Sequence, residues 1–325
     1  MEKNHMFNMS PVIENIDTLQ IEGEVLKKSD VSGISASGNW VVIGSDEGSH
    51  LQVLRRNKLG FQVKEPPVHL MDFGNAKDKE VDIEAITHDG HGTFYVLGSH
   101  SAKRKKVTED RSYRNNRKRI QVVKQEKSRS NLFRLKFDFS SMSIEDTTST
   151  DLDIIFEQDN ILKLFNNIPS KENGIDLEGI AYREEQLFLG FRGPVLRENF
   201  VPVIVTTFNN IKDYEMRFVD LNGRGIRDLV AVSNGFLIVA GPVSKGDGRF
   251  YLHFWSGQDE IPGHDRVIEK NKCIGEIPTP HPEAKAEGIT ILEETEEHYR
   301  AIMVFDGVDL RELPVFRILK QNNIA

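Results

Sequence analysis

Five short segments of the chain share a pattern that would bring oxygen-bearing side chains together. They span residues 30–34, 82–86, 176–180, 226–230 and 285–289. The third residue of each segment carries an oxygen atom in its side chain, and these residues are Ser32, Glu84, Glu178, Asp228 and Glu287. Carboxylates that converge in a space of low dielectric constant either bind a cation or take up protons. Because hard cations prefer oxygen ligands, the set predicts a Ca²⁺ or Mg²⁺ site.

The positions of these segments predict the fold. Each is followed by a turn and a second apolar run, and the spacing is even except for one interval that is nearly doubled. Repeats of this length are typical of β-propellers. We therefore predict an all-β propeller of four-stranded blades, in which the five oxygen-bearing residues face a common axis. Five blades are favoured, and a sixth blade without the acidic signature is the alternative.

The rest of the chain can be placed around this repeat. Residues 1–17 are predicted to be a flexible lead-in, and residues 18–325 to form the propeller. Alternating apolar and polar residues over 18–26 predict a strand that pairs with the C-terminal blade and closes the ring. Asp159 and Asn160 are expected to cap a short helix that extends through Asn167 and ends before Pro169. The whole stretch from Ser140 to Asn173, in which the pattern changes, is either a second insertion or a poorly marked outer strand.

Three further residues stand next to the inner strands. His100 could transfer protons near neutral pH, and Arg192 and Arg227 could bind a phosphate or carboxylate group. The alternative is that both arginines serve only as ion-pair partners of the buried acids.

Charge is distributed unevenly along the chain. The net charge is −8 over 325 residues, yet the stretch from Lys103 to Arg129 carries twelve Lys or Arg residues and three acids. This stretch is too polar to pack and too long for an ordinary hairpin loop. It is predicted to be an insertion in the second blade, holding at most a short helix or ribbon. It could contact nucleic acid, a phosphate-containing substrate or an acidic protein, or it could be a solvated loop.

Composition excludes several other classes of protein. The single cysteine, Cys273, rules out a disulfide within one chain, and we find no P-loop, GxSxG or HExxH motif. No apolar run is long enough to span a membrane, and the N-terminal residues do not read as a signal peptide. A cytoplasmic protein is therefore expected.

Specific motifs resemble those of a bacterial domain family of unknown function. They are GSHS at 98–101, DLEGIAY at 176–182, FRGPV at 191–195, GIRDLV at 225–230 and AGP at 240–242. The resemblance implies a propeller fold and no particular reaction. The order of residues on the inner strands also looks like that of five-bladed calcium-dependent apyrases, and phytase-like propellers carry a similar acidic mouth. Asp228 stands where the apyrase pattern has Ser.

Together these features favour a metal-dependent phosphoester or phosphoanhydride hydrolase. The five axial residues would hold the cation, Arg192 and Arg227 would bind the anionic substrate, and His100 would transfer a proton. The competing hypothesis is a non-catalytic interaction module, in which a structural cation or an ion-pair network occupies the axis.

Overall fold

Short runs rich in Val, Ile, Leu and Phe form strands that hydrogen-bond mostly in chain order. The computed structural model describes residues 11–71, 80–141, 143–244 and 248–320. Within these ranges the strands group into four-stranded antiparallel units, which we call blades. The predicted all-β propeller is confirmed.

The first blade follows an N-terminal strand, β1 (Ile13–Glu22). It consists of β2 (Val31–Ser37), β3 (Trp40–Ser45), β4 (His50–Arg56) and β5 (Gly60–His69).

The second blade is interrupted by the basic insertion. It begins with β6 (Ile83–His88) and β7 (Thr93–Gly98). The insertion then forms β8 (Ala102–Arg104), α1 (Tyr113–Arg119) and β9 (Val123–Gln125), and β8 pairs with β9. The blade ends with β10 (Leu132–Asp138) and β11 (Ser143–Thr150). The insertion thus contains both a short helix and a two-stranded ribbon.

The remaining blades follow a second helix, α2 (Asp153–Gln158). The third blade comprises β12 (Asp176–Arg183), β13 (Gln186–Gly193), β14 (Phe200–Thr207) and β15 (Asn210–Asp220). The fourth comprises β16 (Gly225–Val232), β17 (Gly235–Gly241), β18 (Tyr251–Trp255) and β19 (Lys272–Glu276). The last comprises β20 (Lys285–Glu294), β21 (His298–Asp306) and β22 (Glu312–Leu319), completed by β1.

The first strand of every blade lies on the inside. Strand β2 contacts β6, β6 contacts β12, β12 contacts β16, β16 contacts β20, and β20 contacts β2. The described residues thus form a closed ring of five inner strands, the arrangement that the five-bladed interpretation requires.

Strand β1 closes this ring. It pairs antiparallel with β22 and also parallel with β5, so that it joins the last blade to the first. The strand was predicted to begin at Thr18 and instead begins at Ile13. A shift in register between Asn15 and Asp17 breaks the alternation of apolar and polar residues that would have marked the earlier part. Of the predicted lead-in, residues 1–10 lie outside the described residues.

The prediction of a helix that starts at Asp159 is wrong about its position. The helix α2 lies before Asp159, and a short 3-10 turn, Leu162–Leu164, lies within the range where the helix was expected. The Asp159 carboxylate accepts hydrogen bonds from the backbone N–H groups of Ile161 and Leu162, at 2.8 and 2.9 Å. This local turn replaces the first turn of the expected helix.

No helix of the described residues has the length and apolar composition that crossing a bilayer requires.

Candidate functional site

Near its start, each inner strand carries an extra residue relative to the strand it pairs with, and β20 has a second one, Leu292, farther along. The β-bulges near the strand starts lie at equivalent places in the five blades, and their extra residues are Ser32, Glu84, Glu178, Arg227 and Glu287. A bulge redirects one side chain out of the regular alternation of the strand. The recurring motif of the sequence is therefore a recurring bulge.

The fourth repeat is shifted by one residue from the alignment made on the sequence. The bulge residue is Arg227, and Asp228 takes the place of the small residue that follows the bulge elsewhere. The residue at that position is small in the other repeats because the neighbouring inner strand lies close to it. A Cβ on Gly179 would lie 2.8 Å from the Cγ2 atom of Ile226, and one on Gly288 would lie 2.9 Å from the carbonyl oxygen of Ser32.

Asp228 and Ser32 make contacts between blades. Asp228 is buried and accepts hydrogen bonds from the N–H groups of Leu229 and Ile289, both at 2.7 Å. The Ser32 hydroxyl donates a hydrogen bond to the carbonyl oxygen of Ile83. Among the described residues, these partners join the fourth blade to the fifth and the first to the second. The structure thus does not bring Asp228 or Ser32 together with the glutamates as a set of ligands.

The glutamates and both arginines line a cavity of about 540 Å³ at the starts of the inner strands. Among the described residues, its lining contains eight acidic residues, which are Asp46, Asp82, Glu84, Asp176, Glu178, Glu283, Glu287 and Asp306. It contains five basic residues, which are Lys103, Lys171, Arg192, Arg227 and Lys285. The cavity therefore has more acids than bases, and a volume typical of small-molecule sites.

A chain of ion pairs crosses the floor of the cavity. Arg192 lies between Asp176 and Glu178, with its Nη1 atom 2.5 Å from Glu178. The Nε atom of Arg227 is 3.0 Å from the other oxygen of Glu178, and its Nη2 atom contacts Glu287. All five side chains are nearly buried, at 11 % exposure or less. The ion-pair role that the sequence left open for both arginines is thus present in the structure.

Glu84 stands beside this chain without a partner of its own. Carboxylate oxygens of Glu84, Asp176 and Glu178 lie within 4.8 Å of one another. Within the described ranges, Glu84 is the only bulge residue whose side chain makes no hydrogen bond or ion pair. These three carboxylates could hold a metal ion, because they supply the oxygen ligands that Ca²⁺ and Mg²⁺ prefer.

The electrostatics of the cavity favour either a cation or bound protons. Burial raises the pKa of Glu84 well above its ordinary value, and the nearby Glu178 raises it further. Burial also raises the pKa of Asp176 against the opposing effect of Arg192. Burial, together with the charges of Glu287 and Asp82, raises the pKa of Asp46 to about 7. A divalent cation would favour the ionised forms of these groups.

A second cluster anchors the basic insertion to the cavity. The Nη1 atom of Arg129 is 2.6 Å from Asp82, and the Nζ atom of Lys103 is 3.2 Å from the same carboxylate. Ser99 donates a hydrogen bond to Asp82, and Glu80 contacts Arg129. Asp82 has a positive φ of 58°, a left-handed conformation that residues with a Cβ adopt less readily than Gly, although Asp tolerates it better than most. The two ends of the insertion are thus fixed at the cavity wall.

His100 lies away from the cavity. Its ring is buried and packs edge-on against Phe156, with centroids 5.7 Å apart, and its Nδ1 atom is 2.8 Å from the carbonyl oxygen of Gly98. Burial lowers the pKa of His100 to about 4, although the contact with Gly98 opposes this. The ring is therefore neutral at pH 7, and His100 is not among the residues that line the cavity.

Several cavity residues were not singled out from the sequence. Asp82 and Asp176 open their repeats, two places before the bulge residue, so that a signal was present in the motif itself. Asp46 follows the second strand of the first blade, and Asp306 is the last residue of the second strand of the last blade. Lys171 lies in a short turn, Ser170–Glu172, which no motif of the sequence connects with the site.

Known structures with a similar fold differ widely in sequence. Glutaminyl cyclase from Myxococcus xanthus is 13 % identical, with 96 % of this chain and 100 % of that chain covered and a TM-score of 0.49. A PQQ-bound aldose sugar dehydrogenase from Streptomyces coelicolor is 7 % identical, with 94 % and 97 % covered and a TM-score of 0.43. The WD40 β-propeller domain of Doa1 is 10 % identical, with 91 % and 70 % covered and a TM-score of 0.35.

Sequence comparison gives a more definite result. No curated protein matches the chain, and the likeness to apyrases and phytases stays a prediction. One family profile, however, matches residues 30–314, which include all five bulges. The chain therefore belongs to the family described as "Protein of unknown function (DUF3616)".

Proposed function

We propose that the protein is a divalent-cation-dependent phosphohydrolase whose reaction takes place in the 540 Å³ cavity. The observation that supports this most is that Glu84, which has no ion-pair partner among the described residues, faces Asp176 and Glu178 at the floor of the cavity. An unpaired carboxylate beside two others is costly unless a cation or a proton is bound there. Glu84, Asp176 and Glu178 would hold Ca²⁺ or Mg²⁺, which supplies Lewis acidity toward a phosphoryl oxygen.

Cations at the rim would receive the anionic part of the substrate. The side chains of Lys103 and Lys285 are about half exposed, and Lys171 is exposed. Lys103 and Lys285 already pair with Asp82 and Asp306. Within the described part of the chain, Lys171 is the cavity cation that has no acidic partner, so it is the one best able to bind a phosphate group.

Asp46 and Lys171 have the properties that proton transfer requires. Asp46 has a pKa of about 7, and its buried Oδ1 atom makes no hydrogen bond within the described residues. Burial and the neighbouring Arg192 lower the pKa of Lys171. Asp46 would take a proton from the attacking water as the new P–O bond forms. The P–O bond to the leaving group would break, and Lys171 would protonate the departing oxygen.

The proposed cation is tested by metal content and thermal unfolding. We expect purified protein to contain Ca²⁺ or Mg²⁺ by elemental analysis and to unfold at a lower temperature in EDTA, since a bound ligand stabilises by mass action, by about 2.7 kcal/mol at one hundred times Kd. Glu84→Gln should abolish this difference. Glu283→Gln removes the same charge from an exposed position in the same cavity and should preserve it.

The proposed reaction is tested with p-nitrophenyl phosphate and bis(p-nitrophenyl) phosphate. Hydrolysis should require the divalent cation and should be lost in Glu84→Gln and Asp46→Asn. If the protein contains metal but hydrolyses neither these substrates nor a panel of phosphate esters and anhydrides, the catalytic proposal is wrong and the cation is structural.

The ion-pair chain supports a second candidate, a non-catalytic interaction module. Arg192 and Arg227 already compensate Asp176, Glu178 and Glu287, as a purely structural core would require. In that case Glu84 holds a proton instead of binding a cation. Unfolding temperatures that are the same with Ca²⁺, Mg²⁺ and EDTA, together with protein free of metal, would favour this alternative.

A further inference from the structure

The basic insertion presents cations that the protein itself does not neutralise. Arg129 and Lys103 are held by Asp82 at its two ends. Between these ends, six further cations pair with no acid of the described residues, and they are Lys105, Lys106, Arg114, Arg117, Lys118 and Lys124. We call residues 103–129 the basic arm. Like charges held close together repel one another, so such an arm is best explained by a polyanionic ligand.

The basic arm lies next to the mouth of the cavity. Arg104 makes a two-point contact with Glu172, in which the Nη2 and Oε2 atoms are 2.7 Å apart. Glu172 directly follows Lys171, the cation of the cavity rim that has no acidic partner among the described residues. Arg104 also donates a hydrogen bond of 2.6 Å to the carbonyl oxygen of Ile120, just beyond α1. A ligand bound along the arm would therefore extend toward the site at which hydrolysis is proposed.

The helix α1 is built to face outward. It has no buried residue, and its last turn carries Arg117, Lys118 and Arg119. Cations at this end are favourable to the helix because they lie near the partial negative charge of its C-terminus. The helix thus holds a row of exposed cations in a fixed arrangement. Its first residue, Tyr113, is 80 % exposed and offers an aromatic face on which an unpaired base can stack.

We infer that the basic arm binds single-stranded nucleic acid and directs a phosphodiester of that strand to the cavity. A flat anionic membrane fits the charges less well, because the rest of the chain is strongly acidic and would be brought against the same surface. A strand is narrow enough to contact the arm alone. With a single exposed tyrosine available for stacking, binding should show little preference among sequences.

The choice of a phosphodiester as substrate rests on the hydrolase proposed above, whereas binding by the arm does not. The two can therefore fail separately. Glu84→Gln should retain binding of the strand and lose its hydrolysis. Binding without hydrolysis in the wild-type protein would contradict the hydrolase and leave the arm as a nucleic-acid interface.

The test is fluorescence anisotropy of the full chain with a labelled oligothymidylate of about 16 nucleotides. The logarithm of the association constant should fall linearly with that of the salt concentration, with a slope of about −0.7 per phosphate contacted. The triple variant R114E/R117E/K118E should bind about tenfold or more weakly and with a shallower slope.

A matched control separates the effect of charge within the basic arm from the effect of the net charge of the whole chain. The variant K58E/K212E/K270E makes the same change in net charge at exposed lysines outside the arm and should bind as the wild type does. The inference is overturned if both variants bind alike, or if the wild type fails to bind the oligonucleotide. It is also overturned if vesicles containing phosphatidylserine compete the oligonucleotide away at concentrations at which neutral vesicles do not.

Discussion

The two ends of the inner strands provide different environments although they belong to the same five strands. The starts of these strands line the large acidic cavity, which contains Glu84, Glu178 and Glu287. Their ends line a much smaller pocket, of about 150 Å³, whose lining is mainly apolar and contains no acidic residue among those described. The aliphatic residues between the two ends are Ile34, Ile86, Ile180, Leu229 and Ile289.

The bulge explains this difference. A regular strand would send alternate side chains toward the axis along its whole length. The extra residue near the start of each strand breaks this alternation, so that a polar side chain can occupy the cavity before the apolar pattern resumes. The bulge near the start of each inner strand therefore accounts for a polar site at that end of the ring.

The largest loss of stability is expected at Glu178, which makes ion pairs with two arginines at the acidic end of the ring. Glu178→Leu removes the carboxylate shared by Arg192 and Arg227 and leaves buried guanidinium groups without their central partner. Breaking a buried pair in this way costs about 3–5 kcal/mol. Urea denaturation should show this loss. Glu84→Leu is the matched control, because Glu84 has no ion pair among the described residues, and it should cost far less in EDTA. Equal effects of the two changes would show that the ion-pair chain does not stabilise the fold.

A smaller loss of stability is expected when Asp228 is changed, the residue that was wrongly aligned with the glutamates of the other repeats. Asp228→Ala leaves the Ile289 N–H group without its acceptor at a buried place, which costs about 1–3 kcal/mol. Because Asp228 contacts backbone amides and does not line the cavity, the rise in unfolding temperature caused by Ca²⁺ or Mg²⁺ should survive in Asp228→Asn. Loss of that rise would make Asp228 a ligand after all.

The pH dependence of stability should also distinguish the two ends. The folded pKa of Asp46 is about 7, above its ordinary value of 3.8, so between these values the folded state holds a proton that the unfolded state releases. This contribution to stability is complete at low pH and is lost as the pH rises toward 7. In EDTA, the unfolding temperature of the wild type should therefore fall more steeply from about pH 5 to pH 8 than that of Asp46→Asn. Parallel curves for the two proteins would contradict the raised pKa.

The smallest effect is expected at the apolar end. The ring of Tyr182 stacks on Tyr95 with centroids 5.5 Å apart, and its hydroxyl makes no hydrogen bond within the described residues. Tyr182→Phe keeps the stacking and should change stability by less than about 0.5 kcal/mol. Its response to divalent cations should equal that of the wild type. A changed response would mean that the two ends are coupled through the aliphatic residues between them.

The sequence predicts the architecture better than the site. Apolar runs between turns identify strands such as β3, which is buried over nearly its whole length. Alternation over residues 18–26 predicted the closing strand β1, although not its start. The outer strand β11 was not recognised with certainty, since it consists of Ser, Thr and acidic residues after its one Ile. An outer strand with little buried surface carries a weak periodic signal.

The errors in predicting the site residues from the sequence have a clear physical origin. A bulge changes the phase of a strand by one residue, and Asp228-Leu229-Val230 resembles the motif of the other repeats closely enough to hide that change. The position of His100 depends on a left-handed turn, with φ of 53°, that buries the ring instead of exposing it. Neither feature can be derived from residue types without knowing which backbone groups lie nearby.

Strand β1 has a consequence for how the protein assembles. Its hydrogen bonds to β22 join parts of the chain that are nearly three hundred residues apart, as in the contact between Gln20 and Glu312. Contacts of such long range form late and slowly. During synthesis β1 emerges well before β22, and in that interval its edges can pair with other chains. The ribosome-bound protein is therefore expected to be the form most prone to aggregation and most dependent on chaperones.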